Sequence, residues 1–134
     1  MIFNNKILLV DDDSDDLEIF ISTLKEIEPG VKYSVANNGS EALDYLLRSD
    51  SMPTLILMDI NMPVMNGLEC LAEIKKIHKL KSIPVVMLTT STDPPTSKQS
   101  LKLGAKLFLT KAATLKEIKL QLQMVLAEQL AVGF

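Results

Sequence analysis

The stretch "ILLVDDDSDDLE" (7–18) holds six acids in eight positions: Asp11, Asp12, Asp13, Asp15, Asp16 and Glu18. The whole chain carries a net charge of only −3. Two carboxylates about 4 Å apart repel by about 4 kcal/mol at an effective dielectric near 20. Such a run must point its members in different directions or gather some of them round a cation. Asp59 closes a second apolar run, "LILMD" (55–59). Thr89 and Thr90 follow "PVVML" (84–88), and Thr110 and Lys111 follow "KLFL" (106–109). Carboxylates with no His or Cys beside them form an oxygen-only donor set. That set suits a hard cation, Mg²⁺ before Ca²⁺. A hydroxyl and an ammonium are the partners a phosphoryl group takes. Together these groups suggest phosphoryl chemistry on a carboxylate, with Asp59 central. Singly, each has an ordinary explanation, since an Asp after a strand is usually a turn residue or a helix cap. The functional case rests on their arriving together.

The elements that must position them alternate. Apolar runs at 6–10, 33–36, 55–58, 84–88 and 106–109 are separated by amphipathic stretches. Four of the five runs are nearly continuous in apolar residues, as strands of a parallel sheet covered on both faces are. "YSVA" (33–36) is more polar, as an edge strand would be. Leu17, Phe20, Ile21, Leu24 and Ile27 recur at steps of three and four, which predicts a helix over 14–28. Ser14 is placed to cap it. Further helices are predicted at 40–48, 67–78 and 95–103, and from Thr114 onward, where Thr114 and Glu117 have capping-box spacing. The order (βα)₅ predicts an α/β fold: a flavodoxin-like three-layer sandwich on a five-stranded parallel sheet of order 2-1-3-4-5. In such a sheet ligands bind beyond the carboxyl ends of the strands, and the acids, Thr89 and Lys111 all lie there.

Bulk composition narrows the function further. At 134 residues and 47% apolar content the chain suits one globular domain. A weakly acidic chain without a basic block offers no electrostatic footprint for nucleic acid or an anionic membrane. No apolar run is long enough to span a bilayer. Cys70 is the only cysteine, which points to a reducing cytoplasm, and its apolar neighbours suit a buried, inert thiol. His78, in "KKIHKLK", suits a surface residue at a helix end.

These residues resemble the receiver domains of two-component response regulators. The resemblance runs from "ILLVDD" through "LILMDINMPVMNGLE" and "IPVVMLTTS" to "GAKLFLTK". The Asp-x-x-Met-Pro-x-Met-x-Gly pattern at 59–67 is its most specific part, and stand-alone receivers similar to the chemotaxis response regulator are the nearest analogues. It implies that Asp59 accepts a phosphoryl group from a sensor histidine kinase or a phosphotransfer protein. It implies that Asp12 holds Mg²⁺ directly, Asp11 through water, and Asn61 by its backbone carbonyl, with Asp59 itself the remaining member of the metal set. Thr89 and Lys111 would meet the phosphoryl group, and Phe108 would be an aromatic switch that follows Thr89. Output would be a shift of the face formed by the fourth helix, fifth strand and fifth helix, read by a downstream protein. The expectation is a single receiver domain over 1–134 with no effector domain, a monomer or weak dimer. It would assist its own phosphorylation and would not be an enzyme.

Two departures stand out. Ala112 replaces the proline that the family carries after the lysine. A cis bond before a non-proline residue costs about 2.5–4 kcal/mol, so the 111–112 bond is expected to be trans, which leaves the reach of Lys111 open. The last helix lacks arginine, so the charged dimer face of DNA-binding members is not expected. Ser91 stands where the family tunes phosphoryl lifetime, as does Asn61. The apolar end Leu130, Ala131, Val132 and Phe134 suits either a cap on the core or a partner surface. An aspartyl-phosphate phosphatase is the alternative function. It wants a second Asp two positions after the nucleophile, where this chain has Asn61.

Overall fold

Alternation along each inner strand divides the core into two. A computed structural model describes residues 5–90 and 93–129. Ser91 and the apolar end from Leu130 lie outside them. The elements run β1 (Lys6–Val10), α1 (Ser14–Ile27), β2 (Lys32–Ala36), α2 (Gly39–Arg48), β3 (Leu55–Asp59), α3 (Gly67–Lys76), β4 (Val85–Thr89), α4 (Pro94–Lys102), β5 (Leu107–Thr110) and α5 (Leu115–Gln129). All five strands are parallel, in the order β2-β1-β3-β4-β5. The expected fold is therefore the observed one, and the polar "YSVA" run does lie in an edge strand.

Successive side chains of a strand point to opposite faces. Leu8, Val10, Ile56, Met58, Val85 and Met87 face α2 and α3, where they meet Ala42, Leu46, Cys70, Leu71 and Ile74. Ile7, Leu9, Leu55, Leu57, Val86 and Leu88 face α1 and α5, meeting Leu17, Phe20, Leu24, Ile118, Leu122 and Leu126. Every residue of β3 and β4 is buried, which is why both read as unbroken apolar runs.

The helix ends are set by caps. Asp13, not Ser14, caps α1: its carboxylate accepts from the amides of Asp15 and Asp16. Ser14 is the first helical residue instead. Asn66 and Glu69 form a capping box on α3. Thr114 Oγ1 accepts from the Glu117 amide ahead of α5. The third helix ends at Lys76, so His78 lies exposed beyond it. Cys70 is buried, and burial pushes its thiol up to about 12, as an inert core residue requires.

Candidate functional site

Strand register brings the acids together. Val10 pairs with Met58 across β1 and β3, so the residues that follow, Asp11 and Asp59, leave the sheet side by side. Asp59 pairs in turn with Leu88, and Thr89 with Thr110. One further bond, from the Lys111 amide to the Thr89 carbonyl (2.8 Å), carries Lys111 one step beyond the last pair. Strands 1, 3, 4 and 5 thus each deliver a group to one edge of the sheet.

Carboxylate oxygens of Asp11, Asp12 and Asp59 lie within 4.8 Å of one another. Asp11 and Asp59 are buried and Asp12 is exposed. This oxygen-only set, open on the Asp12 side, fits a hard divalent cation. Lys111 Nζ lies 2.7 Å from Asp11 Oδ2, 2.8 Å from Asp16 Oδ2 and 3.7 Å from Asp59 Oδ2. No peptide bond among the described residues is cis, so the 111–112 bond is trans as expected. Lys111 nevertheless reaches the acids, which answers the question that Ala112 raised.

Electrostatics follow from burial. Leu17, Phe20, Leu57 and Leu88 line the floor beneath Asp11 and Asp59. Burial over this floor raises both carboxyls, Asp59 to about 6. Lys111 pulls Asp59 back down, while Asp11 and Asp12 push it up. Burial also works against the Lys111 ammonium, but its hydrogen bonds to Asp11 and Asp16 outweigh that and hold it above its ordinary range. Three clustered acids that a single ammonium compensates only in part are a setting in which a cation gains most.

The loop after Asp59 is tightly built. Asp59 Oδ1 accepts from the Ile60 amide at 2.9 Å. The Gly67 amide donates to the Ile60 carbonyl at 2.8 Å and returns the chain to the sheet. A Cβ on Gly67 would overlap the Asp59 carbonyl oxygen and come within 2.9 Å of Ile60 Cα. The glycine of the 59–67 pattern is therefore required by close approach, not by φ. Between them, Met65 donates to the Pro63 carbonyl at 2.7 Å around Val64, whose φ is +67°. A β-branched residue there is strained.

The remaining expected residues fall near the site in different ways. Thr89 is buried at the end of β4. Phe108 is half-buried, opposite Met87 in register, and packs against the core on the α2–α3 side. Asn61 is exposed two residues past Asp59. Asp16 is the member that sequence reasoning missed. It lies in the first turn of α1, where an acid suits the helix dipole, and its ion pair to Lys111 spans 95 residues of chain.

A parallel (βα)₅ sheet that brings three carboxylates and a lysine to one edge is the architecture of a receiver domain. The chain belongs to the response regulator receiver domain family, whose model matches residues 7–123, and so to two-component signalling. It is 36% identical over 117 residues to Response regulator Rcp1 of Synechocystis sp., covering 84% of this chain and 80% of that one. It is 39% identical over 122 residues to the transcriptional regulatory protein CpxR homolog of Haemophilus influenzae. That match takes 91% of this chain but spans only 50% of the relative's length. Among solved structures, the phosphorylated cyanobacterial phytochrome response regulator RcpA has a TM-score of 0.90 at 31% identity, covering 98% of both chains. The Mn²⁺-bound form of Rcp1 has a TM-score of 0.85 at 32% identity, covering 97% of this chain and 98% of that one.

Proposed function

We propose that this domain is a phosphorylation-dependent switch in which Asp59 is the phosphoacceptor. The observation that carries this is one cluster: three carboxylates within 4.8 Å of one another, with the Lys111 ammonium 3.7 Å from Asp59. An Asp59 carboxylate oxygen attacks the phosphorus of a phosphohistidine on a sensor histidine kinase or phosphotransfer protein. The O–P bond forms as the N–P bond breaks, and the imidazole leaves with the electron pair. Asp11, Asp12 and Asp59, with the Asn61 carbonyl, would hold Mg²⁺, which when bound neutralises charge growing on the transferred group. That the Rcp1 structure is a Mn²⁺-bound form supports a divalent ion in this domain. Lys111 pairs with the phosphoryl oxygens, and Thr89 turns its hydroxyl toward them.

The new group brings a charge of about −1.5 to −2 and three acceptor oxygens to a buried edge. Its pull on Thr89 and Lys111 biases Phe108 and the α4–β5–α5 face, which a downstream protein reads. The domain works in the cytoplasm as a monomer or weak dimer and binds no nucleic acid itself. It assists its own phosphorylation and dephosphorylation without turning over a separate substrate. Asn61, where a phosphatase of the aspartyl-phosphate type wants an acid, supports that choice.

Intact-mass analysis tests the reading. After incubation with a small phosphodonor and Mg²⁺, the parent protein gains the mass of one phosphoryl group and Asp59→Asn gains none. No gain on the parent refutes the switch, and equal gain on the variant refutes Asp59. Sustained hydrolysis of added phosphate esters would instead favour the phosphatase.

A further inference from the structure

We propose that Asp16 is a positioning residue that holds Lys111 in its resting place and opposes its transfer to the phosphorylated site. This rests on Asp59 being the phosphoacceptor. Among the described residues Lys111 forms ion pairs with Asp11, Asp16 and Asp59. The first two, at 2.7 and 2.8 Å, are charge-assisted hydrogen bonds, whereas the 3.7 Å approach to Asp59 is too long for one. In this state the lysine is drawn to the α1 side of the site.

The two short bonds are not equivalent. Asp11 also belongs to the carboxylate group that could hold a metal, and Asp16 does not. Asp16 is therefore the strong partner of Lys111 that metal binding leaves in place. Its position is fixed locally. Asp13 caps α1 and accepts the Asp16 amide at 3.1 Å, which pins the backbone that carries the Asp16 carboxylate. The Lys111 side chain is only 8% exposed, so a partner its ammonium loses is not readily replaced by solvent. A phosphoryl group on Asp59 must then recruit Lys111 in competition with Asp16. Removing the Asp16 carboxylate weakens the resting state and leaves the phosphorylated state's own contacts intact.

Beryllofluoride, which becomes tetrahedral on bonding to a carboxylate oxygen and so takes the place of a phosphoryl group there, measures this competition. Its affinity is titrated at saturating Mg²⁺, after each variant shows cooperative thermal unfolding. Asp16→Asn is expected to bind it about tenfold more tightly than the parent, the scale of one partly exposed charge-assisted hydrogen bond. Asp16→Ser, a second neutral variant, should show the same gain. Asp16→Glu, which keeps the charge, should return to within about twofold of the parent, well short of the tenfold step that 1.4 kcal/mol represents. Asp15→Asn removes one charge from the same turn without touching the Lys111 pairs, and should also leave affinity nearly unchanged. Parental affinity in both neutral variants overturns the proposal. So does an equal gain in Asp15→Asn, because bulk charge would then be the cause. A parent that binds no beryllofluoride, like Asp59→Asn, refutes the phosphoacceptor itself and the proposal with it. Binding by the parent with no effect at position 16 refutes the role of Asp16 alone.

Discussion

Asp59 sits in an environment that disfavours its own charge. Burial is the main cause, the neighbouring acids add to it, and Lys111 offsets only part. Its folded pKa, about 6, lies above the ordinary 3.8. The protonated form therefore favours the fold. That contribution is complete below pH 3.8 and is lost as pH rises through about 6. Asp59→Asn remains neutral throughout and should be more stable than the parent at pH 8 by about 2–3 kcal/mol in chelator. The advantage should shrink to roughly half at pH 5, because the parent is by then mostly protonated when folded. Urea unfolding at the two pH values checks this, and an advantage that grows toward acid would contradict it. Asp59, Asp11, Asp12, Thr89 and Lys111 were legible in the sequence because each lies just past a plain apolar run, at or beyond the carboxyl end of its strand. The roles of Asp13 and Asp16 were not. In a run of six acids several residues can cap a helix, and spacing alone does not show which of them meets a lysine 95 residues away.

At the scale of elements, the α3 N-terminus is pressed against the end of β3. The Gly67 amide binds the Ile60 carbonyl, and the position of its missing Cβ is already filled by the Asp59 carbonyl, Ile60 Cα and Met87 Cε. Only the far end of Met87 can yield easily. Gly67→Ala should therefore destabilise the domain by about 2–3 kcal/mol, as overpacking against backbone does. It should also move Asp59, so that phosphoryl gain by intact mass slows in protein that is still folded. A variant with parental stability and parental phosphorylation would show that the loop adjusts without strain. Strands and helices were legible to within about two residues, because the buried strands carry continuous apolar runs and α1 a clear apolar stripe. Cap chemistry shifted the ends: the Asp13 cap starts α1 one residue earlier than a Ser14 cap would, and Asn66 with Glu69 fixes the start of α3. The trans bond before Ala112 followed from the energy of a cis bond. The reach of Lys111 did not, because it depends on the β4–β5 register carried on by the Lys111–Thr89 bond.

At the scale of the molecule, the site unites elements that are otherwise separate. Asp11 and Asp12 come from the junction of β1 and α1, Asp59 from the central strand and Lys111 from the far edge of the sheet. In the unfolded chain these groups are far apart, so an ion that needs all three acids binds the folded state alone. Such linkage stabilises by about 2.7 kcal/mol when free ion stands at about one hundred times its Kd. Mg²⁺ or Mn²⁺ should therefore raise the unfolding midpoint of the parent in a concentration-dependent way. Sodium chloride at equal ionic strength should do less, because screening does not supply coordination. Asp12→Asn, an exposed position, should fold normally and lose most of the gain. The gain should also fade as pH drops below about 6, since the ion must displace a proton from Asp59. Thermal unfolding with each salt, at pH 8 and pH 5, separates these effects. An increase that survives Asp12→Asn, or is equal with sodium chloride, would mean that the three carboxylates do not act as one donor set.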